Sequence, residues 1–120
     1  MDKFSKILLI EDEVITAMSL IMDLKKLGYI NSKYVSTRSK AVASAKKSMP
    51  DIIIADVSLS GGESGIDVAT EISGSTGIPI IITSGYEVED LASRLDVLNN
   101  AHFLQKPVNI SSLIKLIESL

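Results

Sequence analysis

Cysteine and tryptophan are both missing from this 120-residue chain, and histidine occurs once. Without cysteine there is no disulfide framework, no thiolate zinc site and no cysteine nucleophile, and the composition suits a reducing compartment. The single histidine, His102, cannot build a histidine-rich metal site; standing directly before Phe103 at the start of an apolar run, it reads as an ordinary strand-end residue. Uninterrupted apolar runs reach four or five residues, far short of the roughly 20 needed to span a membrane. The opening "MDKFSK" has no apolar signal region, so the chain is expected to be cytoplasmic. Positive charge is not in excess either. The net charge is −3, which argues against a nucleic-acid binder acting through bulk charge.

What is abundant is aliphatic. Hydrophobic residues make up 46% of the chain, with only three Tyr and two Phe among them, and such a composition argues against disorder. At this length the expectation is a single domain over residues 1–120 with a core of Ile, Leu, Val and Ala. Charge is uneven along the chain: residues 1–60 hold nine Lys/Arg against seven Asp/Glu, and residues 61–120 hold three against eight. Lys33, Arg38, Lys40, Lys46 and Lys47 gather around one expected helix, where a solvated face is a simpler reading than an anionic partner.

Five short apolar runs recur: "KILLI" (6–10), "KYVS" (33–36), "DIIIA" (51–55), "IPIIIT" (78–83) and "HFLQ" (102–105). The third and fourth are Ile-rich with no polar alternation, the pattern of strands covered on both faces. Helical spacing fills the gaps. Val88, Leu91, Ala92, Leu95 and Leu98 form one apolar stripe, and Ile110, Leu113, Ile114 and Ile117 form another. Gly28 sits where a helix C-cap is expected, Asn109 or Ser111 can N-cap the last helix, and Pro50 and Pro79 stand just before strand cores. The order is (βα)₅, an α/β domain with a doubly wound five-stranded parallel sheet, right-handed crossovers and helices on both faces. In such sheets ligands bind beyond the carboxyl ends of the strands.

Those ends carry the polar chemistry. Glu11, Asp12 and Glu13 follow strand 1, Asp56 closes strand 3, Thr83 and Ser84 close strand 4, and Lys106 follows strand 5. Strand 2 is followed only by Ser36, Thr37 and Arg38 and is expected at an edge. Each residue alone has an ordinary explanation as a turn, cap or surface group; the specificity lies in all four groups falling on successive strand ends. Adjacent acids repel and are costly near an interior unless something offsets their charge. The expected offset is a bound metal ion together with Lys106, and oxygen ligands without Cys or His favour Mg²⁺ over zinc. Paired carboxylates could instead do general acid–base work, as in glycosidases, but a metal-gathered set beside a lysine suits phosphoryl chemistry better. A carboxylate can accept a phosphoryl group as nucleophile. Cations neutralise its oxygens in a loose transition state, and a hydroxyl such as that of Thr83 can donate to one of them.

Together these residues resemble the response-regulator receiver domain, the CheY-like family, over essentially the whole chain from Lys6 to Leu120. The joint pattern of acid pair, central Asp, Thr and Lys-Pro is specific, although each piece is common. The resemblance implies a flavodoxin-like sheet in strand order 2-1-3-4-5. It implies Asp56 as phosphoacceptor, Asp12 as a direct Mg²⁺ ligand and Glu11 acting partly through water, with Asp56 and the backbone carbonyl of Ser58 completing the metal set. Lys106 would pair with the phosphoryl group, Thr83 would be the switch hydroxyl, and Phe103 takes the position of the switch aromatic. Glu13 has no ligand role in the family and is expected to start helix 1. A cis bond at Lys106–Pro107 is implied as well. Two features depart from the pattern. Ser60 stands where many members carry Pro, and in "LSGGESG" the usual glycine, Gly65, falls one residue late, which leaves open the path of the loop before helix 3. Ser58 and Gly85 occupy the positions that tune dephosphorylation.

The function so implied is that of a two-component receiver that takes a phosphoryl group from a sensor histidine kinase or phosphotransfer protein. It would then shift a surface built from the helix over 88–98, strand 5 and the last helix. Such a domain is a self-catalysed acceptor with slow autodephosphorylation, not a turnover enzyme. No direct contact with nucleic acid or membrane is implied, and the downstream target is not legible. Glu89, Asp90, Arg94, Asp96, Lys115 and Glu118 allow homodimerisation on phosphorylation without requiring it. A non-phosphorylated interaction module is the alternative. An aspartyl phosphatase fits less well, because Asp-x-Asp after strand 1 is replaced by Asp12-Glu13-Val14; a flavodoxin-type FMN site fits poorly, since those acids would repel its phosphate. The chain ends with its last helix and reads as a stand-alone regulator or as a fragment of a larger one.

Overall fold

The computed structural model describes residues 1–59, 62–74, 76–85 and 100–120. In chain order these residues form β1 (Ile7–Ile10), α1 (Val14–Lys26), β2 (Ser32–Val35), α2 (Arg38–Lys47), β3 (Ile52–Asp56), α3 (Gly65–Ser73), β4 (Ile80–Ser84), β5 (Ala101–Gln105) and α4 (Ile110–Ser119). The five strands make one parallel sheet in the order β2-β1-β3-β4-β5. This is the expected doubly wound arrangement, with β2 at an edge and strand limits displaced by one or two residues from the apolar runs. The helix expected over 88–98 and the departure at Ser60 lie outside the described residues.

Both sheet faces are covered because the central strands carry apolar residues at consecutive positions, and a strand's period of two divides them between the faces. Ile7, Leu9, Ile52, Ile54 and Ile81 pack against Ala17, Leu20, Ile21 and Leu24 of α1 and against Leu113 and Ile117 of α4. Leu8, Ile10, Ile53, Ala55, Ile80 and Ile82 pack on the other side, against Ala41 and Ala45 of α2 and Ile66, Ala69 and Ile72 of α3. Each buried Ile or Leu contributes about 1.5–3 kcal/mol. The boundaries follow from local chemistry. Gly28, at φ +100°, ends α1: its N–H donates to the Lys25 carbonyl, while the Tyr29 N–H reaches back to Leu24, the paired bonds of a Schellman stop. Asn109, not Ser111, caps α4, its Oδ1 accepting from the Ser112 N–H at 3.0 Å.

The loop after β3 accommodates its displaced glycine by folding back on itself. The Leu59 N–H donates to the Glu63 carbonyl at 2.9 Å, and Ser58 and Ser64 form an antiparallel bridge. Gly65 opens α3 with its N–H on the Val57 carbonyl. A Cβ at Gly65 would stand 1.7 Å from the Asp56 carbonyl oxygen, so the position requires glycine because the helix start presses on the end of β3. His102 lies in β5 opposite Ile81, its Nε2 buried without a hydrogen-bond partner among the described residues.

Overpacking against backbone costs about 1–3 kcal/mol and occasionally more. We expect Gly65→Ala to fall at the upper end of that range, lowering the urea midpoint at unchanged slope. A wild-type midpoint would mean that α3 does not begin against Asp56.

Candidate functional site

Strand register decides which side chains at the carboxyl rim share a face. Leu9, Ile54, Ile81 and Leu104 face α1 and α4, and two residues beyond the first three lie Glu11, Asp56 and Thr83. Asp56 pairs with Thr83, and Ile10 with Ala55, so Glu11 stands level with Asp56. Leu104 pairs with Thr83, and Lys106 lies two residues past it. The alternation therefore sends all four polar groups to the same side of the rim.

Three of them touch there. Lys106 Nζ donates to Asp56 Oδ2 at 2.9 Å and to Glu11 Oε1 at 3.2 Å. Carboxylate oxygens of Glu11, Asp12 and Asp56 all lie within 4.8 Å of one another. Glu11 is 2% exposed and Asp56 9% exposed, whereas Asp12 is only half-buried. The Ser58 N–H donates to Asp56 Oδ1 at 3.3 Å, and the Lys106 N–H donates to the Ser84 carbonyl at 2.7 Å, which fixes the lysine's backbone to the end of β4. The Lys106–Pro107 peptide is cis, as the resemblance implied.

Electrostatics follow from this crowding. Burial raises the Glu11 carboxyl, and its hydrogen bond to Asp56 and that group's charge add to the rise; Lys106 opposes it, and the outcome is about 7. Burial pulls the Lys106 ammonium down, but hydrogen bonds and attraction from Asp56 and Glu11 outweigh that effect, so its pKa is raised and it stays charged. The donor set is all oxygen. Ligands about 2.1 Å from a hard divalent cation stand up to about 4.2 Å apart across an octahedron, so three carboxylate oxygens already gathered within 4.8 Å fit one such ion.

The remaining expected residues occupy the surroundings. Thr83, 3% exposed, lines with Glu11 and Lys106 a cleft of about 560 Å³ beside α1. Ser58 is exposed on the turn after β3. Glu13 precedes α1 with extended backbone, accepts from the Thr16 hydroxyl at 3.3 Å and stands outside the three-acid cluster. Phe103 pairs with Ile82 and packs, half-buried, against the core on the opposite face. At Gly85 an added Cβ would meet nothing within 4 Å. One feature escaped the sequence reading. Val14, Ile15, Met18 and Met22 of α1 are all exposed, Ile15 by 79%; in the sequence they merge with the residues that α1 buries, and the signal for them is an apolar arc wider than one core-facing stripe needs.

Residues 7–118 match the family model described as the response regulator receiver domain. The transcriptional regulatory protein PdtaR of Mycobacterium tuberculosis is 33% identical over 113 residues, which are 94% of this chain and 55% of that protein. The receiver domain of the PhyR response regulator from Erythrobacter litoralis, solved by NMR, superposes with a TM-score of 0.81 at 30% identity, covering 96% of this chain and 88% of that one. The chemotaxis protein CheY4 of Vibrio cholerae superposes at 0.87 with 20% identity, covering 97% and 98%, a likeness of fold alone. The chain thus spans about half the length of the PdtaR relative. Among the described residues no helix is long and apolar enough to cross a membrane.

In metal-free buffer the folded state holds the Glu11 proton up to about pH 7, against an ordinary value of 4.5. The stability linked to that proton is complete below the ordinary value and is lost as the pH rises through the folded one. We expect the melting temperature in chelator to fall across this window, and Glu11→Gln to flatten the decline relative to wild type. Parallel profiles for the two proteins would assign the titration to another group.

Proposed function

Since the chain belongs to the response regulator receiver domain family, we propose that it is a phosphorylation-driven switch whose acceptor is Asp56. The observation that carries this reading is the shared ammonium: Lys106 Nζ bridges Asp56 and Glu11 while Asp12 completes a three-carboxylate cluster. In the proposed step a carboxylate oxygen of Asp56 attacks the phosphorus of a phosphohistidine on a sensor kinase or phosphotransfer protein. The phosphorus–nitrogen bond breaks, and its electron pair leaves with the imidazole. Mg²⁺, held by Glu11, Asp12, Asp56 and the Ser58 carbonyl, would supply neutralisation of the phosphoryl oxygens. Lys106 is already within hydrogen-bond reach of the acceptor and would follow the charge outward onto the phosphoryl group.

The phosphorylated acceptor would carry roughly −1.5 to −2 of charge, where the free carboxylate carries −1. Thr83, paired with Asp56 across β3 and β4, would be the hydroxyl that answers it. Movement of Thr83 would be felt by Phe103 through Ile82, its partner across β4 and β5, giving a population shift at the β5–α4 surface. The helix expected over 88–98, and with it most of the charges that would support a phosphorylated homodimer, lies outside the described residues. The cleft beside the site is walled by α1, whose exposed Val14, Ile15, Met18 and Met22 support a partner that docks along that helix with its own apolar face. PdtaR is named as a transcriptional regulator and PhyR as a response regulator. A regulatory output, rather than sustained turnover, is the role we assign.

Acetyl phosphate with Mg²⁺ should add one phosphoryl mass to the wild-type protein and none to Asp56→Asn, read by intact mass spectrometry. Unlabelled wild type, under conditions that label a known receiver, would return the chain to a plain interaction module. Asp12→Asn should weaken Mg²⁺ binding by about tenfold or more, since it removes one charged member of a partly buried cluster. Calorimetric titration checks this, and unchanged affinity would take Asp12 out of the ligand set.

A further inference from the structure

A second cleft, of about 360 Å³, opens at the other end of the sheet, among the amino-terminal ends of β1 and β2 and the last turns of α2. Leu8, Ile30 and Pro50 give it an apolar floor, and Lys6, Lys33 and Ser44 bring polar groups to its walls. Lys6 Nζ is held at 2.9 Å from the Ser48 hydroxyl. No carboxylate pairs with Lys6 or Lys33 among the described residues. Asp51, beside the cleft, is engaged by the backbone: its Oδ2 accepts from the Lys6 N–H at 2.7 Å. Behind its wall Ser44 Oγ is buried with no hydrogen-bond partner among the described residues.

The surroundings are more basic than the chain as a whole. Residues 24–50 hold seven Lys/Arg and no Asp/Glu, in a protein of net charge −3. Among the described residues Arg38 alone of these is neutralised, by Glu71 of α3 through two bonds of 2.7 and 2.8 Å. A solvated helix face accounts for Lys40, Lys46 and Lys47; it does not account for Lys6 and Lys33 converging on one concavity from two strands. Apolar side chains share this end: Phe4, whose carbonyl accepts from Asn31 at 2.8 Å, is 76% exposed, and Ile30 is 60% exposed.

We infer that this cleft docks an acidic peptide segment carrying one bulky apolar side chain. The apolar group rests on Leu8, Ile30 and Pro50, and flanking carboxylates meet Lys6 and Lys33. Concavity selects this occupant among polyanions. A phosphodiester backbone brings no aliphatic group to cover its apolar lining. The site lies at the opposite end of the strands from Asp56 and does not depend on the phosphoacceptor reading.

Anisotropy of a labelled short peptide of glutamates around a central leucine, titrated with the whole 120-residue protein, tests the inference. Saturable binding is expected, weakened about tenfold or more by Lys33→Glu and strongly weakened by salt near about 0.5 M. Glycine in place of the leucine should cost about threefold or more. Lys33 is exposed on an edge strand, so the variant should keep the wild-type melt and should still be labelled on Asp56 by acetyl phosphate. Absent saturable binding, or Lys33→Glu binding as wild type while folded, overturns the proposal. So does tighter binding of single-stranded RNA of equal charge or of phosphatidylglycerol vesicles, because either outcome assigns the cleft to a different class of partner.

Discussion

Two buried carboxylates share one ammonium at the carboxyl rim, and the unusual properties of this domain stem mostly from that arrangement. Glu11, Asp12 and Asp56 bring three negative charges and Lys106 one positive, which leaves −2 on a cluster that is partly withdrawn from water. Lys106 cannot balance the group by itself. Burial, with the hydrogen bond and charge of Asp56 adding to it, drives the Glu11 carboxyl up to about 7 when no cation is present, so a proton removes part of that charge. The remaining all-oxygen negative cluster is of the kind that a hard divalent cation would balance.

Such a cluster costs stability, and the rest of the fold is arranged to carry that cost. The three central strands are buried at every described position, with aliphatic residues on both faces. Rigid strands hold the acids at fixed spacing, because neighbouring strands stand about 4.8 Å apart. The lysine is tied down separately, through its N–H on the Ser84 carbonyl. Gly65 adds a further constraint by bringing the start of α3 directly against the carbonyl of Asp56.

The same architecture separates two kinds of surface. The carboxyl end is acidic, with the exposed apolar stripe of α1 at its flank. The amino end, around β2 and α2, is basic and partly apolar. Charge of opposite sign thus stands at the two ends of one sheet.

Much of the domain could be read from the order of its residues. Ile-rich runs without polar alternation announced central strands, the helical periods between them announced a doubly wound sheet, and acids, Thr and Lys at successive strand ends announced the rim. These signals are local: they depend on periodicity and on the identity of the residues just past each strand, both of which survive in one dimension. The fold-back from Leu59 to Glu63, the pressure of Gly65 on Asp56, the outward face of α1 and the convergence of Lys6, Lys33 and Ser44 were decided by tertiary structure. Each depends on register between segments far apart in the chain, or on which arc of a helix the core leaves uncovered. Residue order alone says that Lys6 and Lys33 are basic; only the pairing of Ile7 with Ser32, which seats β2 beside β1 and beneath α2, brings them to one cleft.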